Sequence, residues 1–258
     1  LIANLKPSDI DLVILPQGPV PDALLSYVKA GGAVLVTGTR HPGPAFGEIV
    51  KLWENTTSSY MRIMDHSMFP SLRDTDVIFW EGSFLELEPT ATPLTLIPPG
   101  QFGPPDKVSA LAEKTDKPGL IIKPVGTGRV AFVGWHIGDL YYRFSNDKHR
   151  ALVGDLVDYL LPTRQRQLKT NAHPSVEITV MRQEKPERTI VHLVNMVGHS
   201  GTAFFDAVEM RDIAIELKGK YKKASTMDGE RISTKITGDY TQFTVPILNE
   251  YRAICLYE

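Results

Sequence analysis

Hydrophobic and polar positions change rhythm twice along this chain. Asp11-Leu-Val-Ile-Leu15 is a short apolar run, followed by a loop from Pro16 to Pro21 and by Asp22 to Ala30, where Leu24, Leu25 and Val28 recur at helical spacing. Gly31 and Gly32 end that helix where a left-handed residue is needed, and Ala33-Val-Leu-Val-Thr37 follows as a second buried strand. Strand, helix, strand predicts a βαβ unit with a parallel pair. From His41 to Pro105 the rhythm fades among dense prolines and glycines. Only Glu48 to Trp53, Val77 to Trp80 and Phe84 to Leu87 read as regular pieces, so the stretch is expected to be a loop-rich excursion around the sheet. Order returns at Gly126-Thr-Gly128, a turn into the strand Arg129-Val-Ala-Phe-Val133. Asp147 to Leu161 then sets Leu152, Val153, Leu156, Val157 and Leu160 on one helical face, and Pro162 closes it.

Thr163 to His173 is polar and basic, with Arg164, Arg166 and Lys169 among glutamines, and reads as a linker. Beyond it the period becomes two. Val176 to Val180, Thr189 to Val194, Asp212 to Leu217, Arg231 to Ile236, Gln242 to Val245 and Tyr251 to Tyr257 each suit a strand between turns. Antiparallel strands without helices predict an all-β sandwich. A chain of 258 residues has room for two cores, so the expected domains are an α/β parallel-sheet domain at 1–165 and a β-sandwich at 170–258.

Composition narrows the partners. With 42% hydrophobic and 22% charged residues and a net charge of −2, no basic footprint for nucleic acid or an anionic membrane stands out. No apolar run reaches membrane-span length and no signal segment opens the chain, which makes a soluble protein the expectation and the cytoplasm the favoured compartment. The chain begins at Leu1 with a strand almost at once, and is expected to be a piece whose upstream part is missing. One cysteine, Cys255, excludes an intrachain disulfide and a multi-cysteine metal site.

Three stretches carry a family resemblance. Tyr27-Val-Lys-Ala-Gly-Gly-Ala-Val-Leu-Val-Thr-Gly38, within the βαβ stretch from Asp11, resembles the trimerisation domain of bacterial β-galactosidases, a class I glutamine amidotransferase-like, flavodoxin-like fold. Gly126-Thr-Gly-Arg-Val-Ala-Phe-Val-Gly-Trp-His-Ile-Gly-Asp-Leu-Tyr-Tyr-Arg143 and the helix after it resemble the closing strand and helix of that domain in glycoside hydrolases. Val176 to Asn195, ending in His192-Leu-Val-Asn195, is similar to the start of the β-sandwich that follows it. The resemblance implies a homo-oligomer, a trimer, and a catalytic barrel upstream of this chain.

Candidate chemistry is thin. Glycoside hydrolysis needs two carboxyl groups facing across a sugar, and Glu81, Glu86 and Glu88 instead read as the solvent face of a strand. Glutamine hydrolysis on this fold needs a cysteine at a strand-to-helix elbow, whereas Cys255 lies in the last strand. Gly134-Trp-His-Ile-Gly138 has elbow spacing with His136 at its centre. Trp135, His136, Asp139, Tyr141, Tyr142 and Arg143 form a candidate rim for a sugar or a subunit, joined by Arg40, His41 and His66. No catalytic residue, cofactor or metal ligand is assigned: the histidines show no HExxH, His192 reads as a sheet residue, Gly126-Thr-Gly128 lacks the rest of a phosphate loop, and Asn55-Thr-Thr57 is a bare sequon.

The leading expectation is therefore a non-catalytic accessory and oligomerisation region of a β-galactosidase-like glycoside hydrolase. The alternative is a self-standing carbohydrate-binding protein that holds a saccharide at the carboxyl edge of the α/β sheet through Trp135, His136 and Arg143. A third reading is a small hydrolase using His136 with Asp139.

Overall fold

The apolar run Ala33 to Thr37 is continuous rather than alternating because both faces of its sheet are covered, whereas the run Leu12 to Leu15 lies at the sheet edge and leaves Ile14 half exposed. In the computed structural model, which describes residues 5–100, 104, 106, 114–162 and 166–258, β1 (Leu12–Leu15), α1 (Asp22–Lys29) and β2 (Ala33–Thr37) form the βαβ unit. β3 (Ile49–Ile63), β4 (Val77–Leu87) and β5 (Leu94–Ile97) follow, then β6 (Leu120–Val125), β7 (Gly128–Val133), α2 (Ile137–Phe144) and α3 (Asp147–Leu160). The sheet order β1-β2-β7-β6 is parallel except for β6, an antiparallel edge strand that tolerates Pro124. Val34, Val36, Val130 and Phe132 pack with Leu24, Tyr27 and Val28 of α1. Ala33, Leu35, Ala131 and Val133 look the other way, into a core shared with Leu152, Leu156 and Leu160 of α3.

Gly126-Thr-Gly128 is the β6–β7 hairpin turn. A Cβ on Gly128 would stand 2.2 Å from the carbonyl oxygens of Val28 and Gly32, so the glycine lets the strand start against the end of α1.

The stretch expected to be loop-rich is a three-stranded antiparallel sheet, order β4-β3-β5. Its longest strand, β3, has 15 residues. The first half of β3 pairs with β4 alone and leaves Ile49, Val50 and Leu52 about half exposed, so the apolar alternation that marks a half-buried strand is missing there. Residues 101–103 and 105 of that stretch lie outside the described residues.

The chain divides into two units, Leu1–Arg164 and Gln165–Glu258. Of the expected linker, residues 163–165 lie outside the described residues, while β8 (Leu168–Thr170) is a strand paired with β13 (Met210–Lys218). The second unit also holds β9 (Val176–Glu184), β10 (Glu187–Asn195), the short β11 (His199–Ser200) and β12 (Ala203–Phe204), β14 (Lys223–Thr226), β15 (Arg231–Ile232), β16 (Thr234–Thr237), β17 (Tyr240–Leu248) and β18 (Tyr251–Tyr257). A five-stranded sheet, β15-β14-β18-β10-β9, and a four-stranded sheet, β16-β17-β13-β8, both feed one apolar cluster that includes Val191, Leu193, Ile254, Ile215, Phe243 and Val245. Cys255 is fully buried as a free thiol. The described residues thus form a sheet-rich fold of five sheets and three α-helices.

Candidate functional site

The candidate rim lies where β2 and β7 end. Both strands stop at glycines, and the amide of Gly38 donates to the carbonyls of Val133 (3.1 Å) and Trp135 (2.9 Å), stitching the two exits together. Gly38 has φ +96°, and a Cβ there would stand 2.8 Å from the carbonyl of Pro16, so the exit of β1 is held in the same knot. Beyond it the chain turns sharply twice: Trp135 N–H donates to Val133 O (2.8 Å) and Ile137 N–H to Trp135 O (3.0 Å). His136, at φ −85° and ψ 63°, sits close to the inverse γ-turn minimum and caps α2. The elbow spacing seen in the sequence is therefore a relaxed turn, without the strain that thrusts a nucleophile out of its sheet.

Each rim residue now has a place. Trp135 is fully buried, its indole N–H toward Gly119 O (3.4 Å) and its ring edge-on to His149 with centroids 5.7 Å apart. This corrects its expected place on a sugar-facing edge, because the apolar strand end carries it inward among Phe84, Leu152 and their neighbours. His136 is half-buried and its Nε2 lies 3.4 Å from Thr39 Oγ1. Asp139 faces Arg143 (3.6 Å), and Arg143 reaches across to Glu81 on β4 (2.6 Å), so the described ion pair of Asp139 runs along α2 rather than to His136. Tyr141 is partly exposed, Tyr142 is 87% exposed and Arg40 is exposed.

His41 and His66 do not join this group. Nδ1 of His41 accepts from Gly43 N–H (3.3 Å), which leaves its Nε2–H to donate to Gly47 O (2.8 Å); the ring braces its own loop. His66 lies in the β3–β4 connection, with Nε2 at 3.0 Å from Thr75 O and 3.6 Å from Asp76. His136, Asp139, Tyr141, Tyr142 and Arg143 lie on or at the start of α2, Arg40 follows Thr39, whose hydroxyl meets His136, and Trp135, His41 and His66 face elsewhere.

Several polar residues that sequence reasoning passed over are internal braces. Asp155 on α3 is buried and accepts from both Ser71 N–H (3.0 Å) and Ser71 Oγ (2.7 Å), fixing a short 3-10 turn. Buried Glu86 accepts from Trp53 Nε1 (2.7 Å) and pairs with Lys117, while Lys51 lies 3.6 Å over the Trp53 ring. This corrects the reading of Glu86 as a solvent-facing carboxylate. His149 is fully buried, its Nε2 2.7 Å from Phe79 O and its Nδ1 without a hydrogen-bond partner among the described residues; burial holds its pKa below the ordinary value. Its place in the 149, 152, 156, 160 series of α3 was the available signal for a core histidine.

On the second unit an open groove of about 660 Å³ is lined by Glu216, Glu230, Arg231, Lys235 and Gln242 among others. Its carboxylates are already engaged, Glu216 by Gln242 (2.9 Å) and Lys169 (3.7 Å), and Glu230 by Arg252. Among the described residues no cluster of three or more His, Cys, Asp or Glu is arranged to hold a metal, and no helix is long and apolar enough to cross a membrane.

No protein-family model matches the sequence, and no curated protein matches it either. Solved structures do. α-L-Fucosidase isoenzyme 2 from Paenibacillus thiaminolyticus superposes with a TM-score of 0.71 at 20% identity, over 99% of this chain and 42% of its own. A GH42 β-galactosidase from G. stearothermophilus, as a catalytic mutant, gives 0.56 at 13% identity over 96% and 32%. A β-galactosidase from the Antarctic haloarchaeon Halorubrum lacusprofundi gives 0.52 at 13% over 99% and 32%. At these identities the likeness is one of fold, and the chain spans about a third to two fifths of the length of the structures it matches.

Proposed function

We propose that this chain is the non-catalytic accessory and oligomerisation region of a β-galactosidase-like glycoside hydrolase. In this reading the first unit is a flavodoxin-like, amidotransferase-like trimerisation domain and the second is a β-sandwich that supports a catalytic barrel. One observation supports the reading: 99% of this chain superposes on the fucosidase but takes up only 42% of that protein, so both units together match the smaller part of it.

The strand-end geometry supports the same view. The knot of Gly38, Val133 and Trp135 rigidifies the surface from which α2 projects, and that helix presents Tyr142 at 87% and Phe144 at 46% exposure beside the Arg143–Glu81 pair. Rigid, exposed aromatics beside an arginine are the composition of a subunit contact. Trp135, which the saccharide-binding alternative needs as its stacking face, lies in the core.

The test is multi-angle light scattering and aryl-glycoside turnover on the intact gene product, wild type and Tyr142→Ser. The expected result is a trimer with glycosidase activity. Tyr142→Ser shifts it toward monomer while unfolding stability stays within about 0.5 kcal/mol, as for an exposed side chain. A strict monomer overturns the oligomerisation role. An intact product that cleaves no glycoside overturns the enzyme assignment.

A further inference from the structure

The hairpin between β10 and β13 presents apolar surface that nothing in its own unit covers. Phe204 is 78% exposed and Phe205 70%, with Val208 at 63% and Met196 at 41% beside them. Such exposure in a slack loop carries little information, but this loop is fastened at both ends. Asn195, 7% exposed, donates its side-chain amide to Val208 O (2.8 Å) and Asn249 O (2.7 Å) and accepts from Val197 N–H (3.1 Å). Phe205 N–H bonds Gly198 O (2.9 Å), β11 and β12 pair His199 with Phe204, and those two rings lie 4.8 Å apart. At φ +98°, with the Phe205 carbonyl 2.7 Å from where a Cβ would sit, position 198 accepts only glycine without strain. The backbone that carries the two side chains is thus held in place, so the backbone share of the ordering cost of binding them is already met by the fold.

Their chemistry selects a protein surface. Phenylalanine has no polar handle to pair with sugar hydroxyls, and consecutive residues of an extended segment present opposite faces, so the two rings make no common stacking platform. They suit apolar recesses, as interface anchors do. On a scale of about 150–250 Å² per buried aromatic, the four side chains offer roughly 400–500 Å². That is little more than half of the ~800 Å² per partner typical of a stable free-standing complex. A contact this small holds a partner that is already tethered, because linkage raises the effective concentration.

We infer that Phe204 and Phe205 anchor the second unit onto the catalytic unit of the same polypeptide, in apolar recesses on that unit. The inference rests on the accessory-region reading above, which supplies the tethered partner.

Hydroxyl-radical footprinting of the intact gene product tests it, with the buried Phe243 (4% exposed) as the internal reference. Docked, Phe204 and Phe205 label as slowly as Phe243 at every protein concentration. The variant Phe204→Ser/Phe205→Ser then loses glycosidase activity faster on warming, while Cys255 stays unreactive toward thiol reagents because the second unit is still folded. Fast labelling of both phenylalanines in a product that cleaves glycosides overturns the anchor and leaves the accessory reading standing. Protection that fades on dilution makes a second copy the occupant and overturns the intramolecular contact. A product with no unit beyond these two overturns both readings.

Discussion

The first unit holds all three tryptophans of the chain, and Trp80 and Trp135 are fully buried; the second holds none, yet carries the two most exposed phenylalanines among the described residues. The first is also where the residues with catalytic vocabulary collect: His41, His136, His149, Asp155 and Glu86. Nearly all of them prove to be joinery. His41 closes a loop, Asp155 fastens a 3-10 turn, Glu86 ties Trp53 to Lys117, and His149 holds the carbonyl of Phe79. In the second unit, buried Asn195 organises a loop whose outward face is hydrocarbon. Residue type alone is therefore a poor guide to function here. Engagement is the better one, since a polar group with its bonds internally satisfied is part of the scaffold, whereas apolar surface held rigidly in water is incomplete without a partner.

The difference between the units can be broken most forcefully at Trp135. Trp135→Ala removes a fully buried indole from the larger core and is expected to cost about 3–5 kcal/mol, as large aromatic deletions do. Urea unfolding followed by the fluorescence of Trp53 and Trp80 reads the first unit alone, and the reactivity of buried Cys255 reads the second. The fluorescence midpoint falls while the thiol midpoint stays put. A variant of unchanged stability that lost sugar binding would instead restore Trp135 to the ligand rim.

Asn195→Ala is the corresponding blow to the second unit, and a smaller one. It strips two carbonyls and one amide of their partners at the root of the hairpin, with an expected cost of about 1–3 kcal/mol. The thiol midpoint moves and the fluorescence midpoint does not. Equal movement of both probes would mean that the two units unfold as one.

How much of this was legible depended on what covers each element. The βαβ unit read cleanly because the strands at 12–15 and 33–37 are apolar on both faces and Gly31, at φ +106°, marks the helix end. The long strand from Ile49 to Ile63 did not, since hydrogen bonds to β4 sustain it where no core imposes a period. Helix α2 was missed because its eight residues include Gly138 and two tyrosines and its buried contacts come from Ile137 and Leu140 alone. Leu168–Thr170 looked like linker because three residues carry no period, and only pairing with β13 makes them a strand. At the rim, the sequence showed which residues share a segment but not the direction of each side chain: Trp135 and His136 are neighbours, one fully buried and one half-buried.

The smallest effect separates the units by pH. His149 donates from Nε2 to Phe79 O, and its Nδ1 is buried with no hydrogen-bond partner among the described residues; a second proton would create a buried charge and an unpaired donor. Its pKa in the folded chain is accordingly depressed by burial, against an unfolded value of about 6.5. Above the unfolded value both states are neutral and the histidine adds no pH dependence. As pH falls below it, the unfolded chain takes up a proton that the folded chain refuses, so stability declines until the folded pKa is passed and then levels off. Asp65, held low by Ser67, and Asp74, held low by Lys148, act in the same direction but only in the carboxylate range, further into acid. Between about pH 6.5 and 5 the fluorescence midpoint of the first unit should therefore fall while the thiol midpoint of the second holds level. His149→Phe should flatten that slope at the cost of the bond to Phe79. A slope that persists in the variant would assign the acid sensitivity to another group and remove His149 from the distinction between the units.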